Sequence, residues 1–119
     1  MVLDSDCQDD CICIENNELA IMDLFNSHII KTGITPSPDM SNFALSSRAK
    51  LFAYSTQINE NDFCLYVYSF ANKSYPIIPI ASYTSPEAIT AIKISKDGSK
   101  LHIWEKSGGI DEIDLDTQS

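Results

Sequence analysis

One six-residue phrase recurs at an almost constant interval and constrains the fold more than any other feature of the chain. It reads LAIMDL at Leu19–Leu24, LYVYSF at Leu65–Phe70 and IDEIDL at Ile110–Leu115, so successive copies start 46 and 45 residues apart. A period of this length is typical of proteins built from consecutive four-stranded sheets. Each sheet of that kind buries its faces only against its neighbours, so the repeat predicts an array.

Between these copies the apolar residues form short runs that favour strands over helices. Runs of about five to eight apolar and β-branched residues alternate with clusters of Asn, Asp, Ser, Gly and Pro, and no segment keeps a 3.6-residue apolar period. The pattern predicts an all-β protein. The predicted strands are Cys11–Glu15, Glu18–Phe25, His28–Gly33, Asn42–Ser46, Lys50–Gln57, Phe63–Phe70, Pro76–Tyr83, Ile89–Ser95, Lys100–Lys106 and Gly109–Leu115.

A second phrase precedes two of the copies and predicts a hairpin before each. It reads NFALSSRAKLFAYS from Asn42 and AIKISKDGSKLHIW from Ala91. In our alignment Ser46 matches Ser95 and Leu51 matches Leu101, with one residue inserted in the second turn. That turn contains Asp97–Gly98, a dipeptide typical of tight hairpins.

Turn residues also divide the chain into three units. The PSPD stretch at Pro36–Asp39 suits a link between units, because proline cannot donate a hydrogen bond within a central sheet. We expect a partial unit at 1–35, a complete one at 36–84 and a second partial one at 85–119. Together they amount to about two and a half four-stranded antiparallel sheets.

Charge and hydropathy narrow the possible partners. The net charge is −9, the segment Met1–Asp23 holds seven acidic residues and no Lys or Arg, and Arg48 is the only arginine. Direct binding to nucleic acid needs clustered basic residues and is not expected, whereas opposite charge would favour a basic protein partner. The acidic N-terminus lacks the pattern of a signal peptide, and no apolar run approaches the roughly 20 residues that span a bilayer. We expect an intracellular protein with no membrane association.

Motifs for catalysis or metal binding are weak. The cysteines are Cys7, Cys11, Cys13 and Cys64. If their segment is a strand, Cys11 and Cys13 share a face, and the C-x3-C-x-C spacing is not a common zinc pattern. Buried thiols are therefore favoured over a metal or redox site. His28 and His102 belong to no motif, and no GxSxG, HExxH or P-loop sequence occurs. We expect neither enzyme activity nor a cofactor.

The stretch EKSGGIDEIDLDT at Glu105–Thr117 places four carboxylates within six residues. A pair of catalytic acids or a cation site would need converging side chains, but Asp111 and Glu112 are adjacent and point to opposite faces of a strand. Glu112 and Asp116 are expected to face solvent, where charges also protect a sheet edge. A structural role is favoured, with the two glycines forming a hairpin turn.

These repeats resemble those of the WD-repeat family. The family's usual tryptophan position is held by Met22, Tyr68 and Ile113. Its aspartate position is held by Asp23 and Asp114, while Ser69 replaces it in the middle copy, and the usual Gly-His pair is absent. The resemblance covers about residues 10–117. It implies a partial β-propeller of WD-repeat type, in which these positions and the Asp97–Gly98 turn are structural.

The run ITAIKISKDGSKLHIWEKSGGIDEIDL is more specifically similar to an early blade of the non-catalytic WD-repeat subunit of tRNA (guanine-N7) methyltransferase. Members of that family carry a "DKSGDVYS" phrase where this chain has Glu105–Glu112, and the preceding blade follows the same order. This resemblance implies a nuclear scaffold in tRNA processing. In such a complex the partner chain carries the cofactor and the methylation chemistry, and the scaffold meets tRNA only indirectly.

Two other functions stay open at this stage. One is a different WD-repeat adaptor for protein interactions, and the other is a propeller hydrolase with metal-binding carboxylates at its centre. Closed propellers typically contain four to eight blades, and this sequence accounts for fewer than three. We therefore expect the chain to be a fragment or to pair with more chain, and the sequence assigns no partner-binding residue.

Overall fold

The chain folds as three consecutive antiparallel meanders. The computed structural model describes the backbone of residues 2–4 and all of residues 10–71, 79–95 and 97–115. Sheet 1 contains β1 (Val2–Asp4), β2 (Asp10–Glu15), β3 (Glu18–Asp23) and β4 (Ile29–Lys31). Sheet 2 contains β5 (Met40–Ser46), β6 (Leu51–Asn59), β7 (Asp62–Ser69) and β8 (Pro79–Ser85). Sheet 3 contains β9 (Ile89–Ile94), β10 (Lys100–Glu105) and β11 (Ile110–Asp114), and within every sheet consecutive strands pair.

The expectation of an all-β protein is confirmed. In the described part of the chain every regular element is a strand, and all ten predicted strands are present. The strand predicted at Pro76–Tyr83 begins outside the described residues and is found as β8, while β1 was not predicted. No helix that could cross a membrane occurs in the described ranges.

Each copy of the six-residue phrase lies in the third strand of its sheet. The copies begin in β3, β7 and β11, each of which pairs antiparallel with the strand before it. In sheets 1 and 2 the third strand pairs on its other side with a fourth strand, β4 or β8. The 45-residue sequence period is therefore the period of the sheets.

The predicted hairpin turns are present, and one of them corrects our alignment of the repeats. Leu45 pairs with Phe52 in sheet 2, and Ile94 pairs with Leu101 in sheet 3. The same number of residues separates both pairs, so no residue is inserted in the second turn and Leu101 corresponds to Phe52. The predicted match of Leu51 to Leu101 was therefore wrong. It relied on the two residues being identical, but Leu51 packs toward the following sheet and Leu101 toward the preceding one.

Sheet 2 lies between the other two sheets and is packed on both faces. The side chains that pack toward sheet 1 are Leu45, Phe52, Tyr54, Tyr68 and Phe70. Those that pack toward sheet 3 are Ala44, Leu51, Ala53, Leu65 and Val67. Since successive residues of a strand point to opposite faces, the single phrase LYVYSF supplies both layers. Removing this apolar surface from water is the main force that holds the three sheets together.

Strand β5 of the central sheet contacts both neighbouring sheets. It contacts β9 on one side and both β1 and β2 on the other. Asn42 lies at an irregularity in the pairing of β5 with β6 and has a positive φ of 55°. Its Nδ2 donates a hydrogen bond of 2.6 Å to the carbonyl oxygen of Ile89 in β9. A bulge that re-aims a side chain thus links sheets 2 and 3.

Candidate functional site

Asp23 closes the hairpin between β3 and β4 through both of its carboxylate oxygens. Oδ1 accepts hydrogen bonds from the backbone amides of Phe25 and Asn26 at 2.9 and 3.2 Å, and Oδ2 accepts one from Asn26 Nδ2 at 3.1 Å. The bonds from the side chain and backbone of Asn26, followed by the Phe25 amide, hold the pKa of Asp23 below its ordinary value. The repeat aspartate therefore stabilises a turn, as short polar side chains commonly do.

The same repeat position is held by Ser69 in sheet 2 and by Asp114 in sheet 3. Ser69 Oγ accepts a hydrogen bond of 3.3 Å from the backbone amide of Ala71, two residues ahead, as Asp23 does from Phe25. Asp114 is exposed at the end of β11, opposite Lys100 of β10. In the first two copies the position thus caps the turn that follows the third strand.

The tryptophan-like position is buried or half-buried in all three sheets. Met22 is half-buried opposite Cys11 of β2. Tyr68 is buried and stacks on Phe52, with ring centroids 5.0 Å apart. Ile113 is half-buried and packs against the apolar cluster between sheets 2 and 3. Tyr68 and Ile113 thus pack between sheets, whereas Met22 lies on the face of β3 opposite to Leu19 and Ile21, which pack toward sheet 2.

Asp97 and Gly98 form the predicted tight turn between β9 and β10. Asp97 Oδ1 accepts hydrogen bonds from the Ser99 amide, Ser99 Oγ and Ser95 Oγ at 3.0, 2.8 and 2.8 Å, and these bonds, the Ser99 amide first, lower the pKa of Asp97 to about 2. Gly98 is buried with φ of 75°, and a Cβ there would lie 2.3 Å from Ala49 Cβ. Only glycine lets the turn of sheet 3 pack this closely on the turn of sheet 2.

A cleft of about 490 Å³ opens between sheets 1 and 2. We call it the hairpin cleft. It is lined by Asp10, Asp23, His28, Ile29, Ile30, Lys31, Lys50, Phe70 and Ala71. Of the seven repeat positions predicted from the sequence, only Asp23 lies in its wall.

An ion pair crosses the floor of this cleft. Lys50 Nζ lies 3.1 Å from Asp10 Oδ2, and the side chain of Asp10 is 4% exposed whereas that of Lys50 is 45% exposed. The Asp10 amide also donates to Ser47 Oγ at 3.0 Å, and Lys50 Nζ lies 5.7 Å from the centroid of the Phe70 ring. A buried carboxylate requires such partners, so Lys50 both neutralises Asp10 and ties sheet 2 to sheet 1.

Sequence reasoning missed this pair because its members lie 40 residues apart. Asp10 belongs to the acidic N-terminal segment, whose carboxylates look exposed when the sequence is read alone. The available signal was its place directly before the apolar strand Cys11–Glu15, where a carboxylate can point into an interface.

The acidic stretch near the C-terminus forms a hydrogen-bonded network with β8 of sheet 2. Tyr83 Oη donates to Asp111 Oδ2 at 2.7 Å, which raises the pKa of Tyr83 to about 12. Ser85 Oγ donates to Glu105 Oε2 at 2.8 Å. The neighbouring carboxyl of Asp111 raises the pKa of Glu105, while hydrogen bonds from Glu105 and Tyr83 lower the pKa of Asp111.

Glu112 lies on the opposite face of β11 from Asp111, as predicted. It is exposed and accepts from Lys100 Nζ at 2.9 Å, while its other oxygen lies 3.2 Å from His102 Nε2. Lys100, and to a smaller extent His102, lower the pKa of Glu112. The predicted divergence of Asp111 and Glu112 is confirmed, and Asp116 lies outside the described residues.

The described cysteines are packing residues in their strands. Cys11 and Cys13 are buried on one face of β2, and Cys64 is buried in β7. Burial is the main cause of the raised pKa of the Cys13 thiol, which disfavours the reactive thiolate. Cys7 lies outside the described residues. Within the described ranges, no three His, Cys, Asp or Glu side chains form a group that could hold a metal ion.

Comparison with known proteins leaves the fold and the site as the basis for any functional conclusion. No family model matches the chain, and no curated protein matches its sequence significantly. The WD-repeat assignment therefore stays a prediction that rests on the repeat itself.

Proposed function

We propose that the chain forms part of a β-propeller of WD-repeat type and acts as a non-enzymatic scaffold. The observation that carries this proposal is the place of the repeated phrase, which begins in the third strand of three consecutive meanders. The packing of sheet 2 on both faces and the contacts between first strands supply further support, since blades of a propeller cover one another in this way.

The particular role that we propose is support of a tRNA (guanine-N7) methyltransferase in the nucleus. Its basis is the KSGG hairpin at Lys106–Gly109 followed by an acidic, apolar third strand, together with the order of the two preceding phrases. The net charge of −9 fits a scaffold that binds a basic protein and leaves tRNA contact to that partner.

Reconstitution with the catalytic subunit of that methyltransferase tests this role. The chain is expected to co-elute with the subunit in size-exclusion chromatography and to raise guanine-N7 methylation of tRNA at least several-fold, while showing no activity alone. A subunit that neither co-elutes with the chain nor changes in activity would remove this proposal.

The alternative of another WD-repeat adaptor is favoured by the hairpin cleft, which is a concave surface lined mostly by residues outside the repeat positions. Affinity purification with mass spectrometry separates the two roles, because an adaptor would bring down a partner other than the methyltransferase reproducibly. The hydrolase alternative gains little from the strands that would line the centre, since β5 and β9 contain no Asp or Glu and only β1 ends in a carboxylate residue, Asp4.

A further inference from the structure

Sheet 3 has one face that no other sheet covers in the described residues, and we call it the outer face of sheet 3. The side chains of β10 and β11 on this face are those of Lys100, His102, Trp104, Ile110, Glu112 and Asp114. Ile110 is 62% exposed, and the side chains of Lys100 and Glu112 are 45% and 49% exposed. In sheet 2 the matching face is buried against sheet 3, so the same backbone surface is covered in one sheet and open in the next.

The side chains of this face are sorted by strand. Those of β10 are basic or aromatic, and those of β11 are acidic or aliphatic. The residues that pair directly across the two strands are Lys100 with Asp114, His102 with Glu112 and Trp104 with Ile110. Glu112 Oε1 lies 2.9 Å from Lys100 Nζ, and its Oε2 lies 3.2 Å from His102 Nε2. Every pair across the two strands therefore joins a base to an acid or one apolar side chain to another.

A two-fold axis that runs between β10 and β11, parallel to both, would make the same matches between two copies of the chain. Sheets that pack face to face keep their strands nearly parallel, at a distance of about 10 Å. Rotation about this axis lays β10 of one copy over β11 of the other, so Lys100 faces the second copy's Asp114 and Trp104 faces the second copy's Ile110. A surface that is complementary to itself in this way is what a two-fold interface requires.

Two other ways of covering sheet 3 match this pattern less well. Sheets 2 and 3 present apolar side chains such as Phe52 and Leu101 to the sheet before them, and a following sheet of that kind would bury the charges of the outer face without partners. Two copies paired edge to edge through β11 would bring like charges together, since the charged residues of that strand, Asp111, Glu112 and Asp114, are all acidic.

We propose that a second copy of the chain packs on the outer face of sheet 3 across this two-fold axis. Lys100 pairs with the second copy's Asp114, His102 lies over the second copy's Glu112, and Trp104 packs on the second copy's Ile110. Three strands of five residues make a face of roughly 14 by 17 Å, which is smaller than a standard protein interface, so we expect a weak dimer with a Kd on the order of 100 μM. The inference goes beyond the proposed scaffold role and does not depend on the methyltransferase as partner.

Sedimentation velocity of the purified chain between about 5 μM and about 1 mM gives the first test. The expected result is a monomer at the lowest concentration and an increasing fraction of dimer toward the highest. The emission of Trp104, the only tryptophan, should shift to shorter wavelength as the dimer forms. A chain that stays monomeric throughout would overturn the proposal, and so would growth to open-ended assemblies, which a closed two-fold contact does not allow.

Charge reversal at one matched pair then locates the interface. Lys100→Glu and Asp114→Lys should each weaken association by about tenfold or more, because each places like charges opposite one another in the dimer. An equimolar mixture of the two variants should dimerise again, since the reversed residues of the two chains face each other and so do the unchanged ones. Effects within a single chain cannot produce this recovery, so a mixture that stays monomeric would overturn the proposal.

Matched controls separate the outer face of sheet 3 from the rest of the surface. Lys31→Glu and Asp39→Lys reverse exposed charges away from this face and should change association by less than about twofold. Ile110→Ser should weaken the dimer by about tenfold, whereas Ile58→Ser, at a side chain that is 57% exposed on sheet 2, should leave it nearly unchanged. Equal effects of the two serine variants would place the contact elsewhere and overturn the proposal.

Urea denaturation at about 5 μM, where the chain is expected to be monomeric, shows that each variant is folded. The altered side chains are exposed or half-exposed, so the apolar layers between the sheets stay intact. If the chain stays monomeric but still stimulates the methyltransferase, only this inference is withdrawn.

Discussion

Sheets 2 and 3 share one backbone pattern but differ in what covers them. In sheet 2 the phrase residues Leu65 and Val67 are fully buried against sheet 3. In sheet 3 the matching residues are Ile110, which is 62% exposed, and Glu112, which is exposed and paired with Lys100. One phrase thus carries an apolar face in one sheet and a charged face in the next.

The other face of the two sheets is alike. Tyr68 and Phe70 pack toward sheet 1, and the matching residues Ile113 and Leu115 pack toward sheet 2. The repeat therefore keeps the backbone pattern and the apolar side chains on the face toward the preceding sheet. The side facing away varies with what lies against it, because alternate residues of a strand respond to separate environments.

The largest effect is expected when the two faces are exchanged at one matched position. Val67→Glu places a carboxylate without a partner in the layer between sheets 2 and 3, and should lower the free energy of unfolding by about 4 kcal/mol or more. Glu112→Val changes an exposed side chain whose ion pairs contribute little, and should leave stability nearly unchanged. Urea denaturation followed by the fluorescence of Trp104 measures both.

Two alanine variants at matching positions test the same comparison with smaller changes, in case the Val67→Glu variant does not fold. Leu65→Ala should cost about 2–5 kcal/mol, and Ile110→Ala at the matching position should cost almost nothing. Similar losses for the two alanine variants would mean that the faces of the two sheets do not differ in burial as described.

Two glycines of sheet 3 have positive φ, but only Gly98 lies against sheet 2, so replacement by alanine should cost different amounts at the two positions. Gly98→Ala combines left-handed backbone strain with a Cβ 2.3 Å from Ala49 Cβ, and should cost about 2–3 kcal/mol. Gly108 has φ of 95°, but a Cβ added there meets open space. Gly108→Ala should therefore lower the free energy of unfolding by only about 1 kcal/mol. Equal costs in thermal or urea denaturation would show that the two turns are not packed tightly together.

Much of this fold could be predicted from the sequence because its strands are local and repeated. The alternating runs predicted ten of the eleven strands in the described residues, and the phrase at Leu19, Leu65 and Ile110 located the third strand of each sheet. It was harder to predict which face of the sheet each residue of β6 and β10 occupies. Two leucines in similar contexts suggested an insertion, and only the pairing of Ile94 with Leu101 shows which face each leucine occupies.

The candidate site could be predicted far less well. Asp10 and Lys50 meet across two sheets, and neither lies in the repeated phrase. Asp23 was identified as a repeat position, but its hydrogen bonds to Phe25 and Asn26 depend on the turn conformation that β3 and β4 impose. The exposure of Phe25 had no signal in the sequence, since an apolar residue at the end of a predicted strand is ordinarily buried.

The smallest predicted effect is a loss of stability at low pH that involves the turn between β9 and β10 of sheet 3 but not the matching turn of sheet 2. The turn of sheet 2 is capped by the Ser46 hydroxyl, which accepts from the Ala49 amide, whereas that of sheet 3 is capped by the Asp97 carboxylate. The pKa of Asp97 is lowered from 3.8 to about 2, so its contribution to stability is complete above pH 3.8 and is lost as the pH falls through about 2. Asp97→Asn should therefore be slightly less stable than the parent chain near neutral pH, and the difference should shrink as the pH falls and vanish below about pH 2.

Amide hydrogen exchange gives the local reading of this effect. Acidification from pH 4 to pH 2 should weaken protection of the Ser99 amide, relative to an unstructured peptide at the same pH, and leave the protection factor of the Ala49 amide less affected. In Asp97→Asn the Ser99 amide should lose this pH dependence, because the amide side chain accepts the hydrogen bond without titrating. The exposed variant Asp39→Asn controls for the loss of one carboxylate. A Ser99 amide whose protection falls equally in parent and variant would show that the carboxylate of Asp97 does not hold the turn of sheet 3.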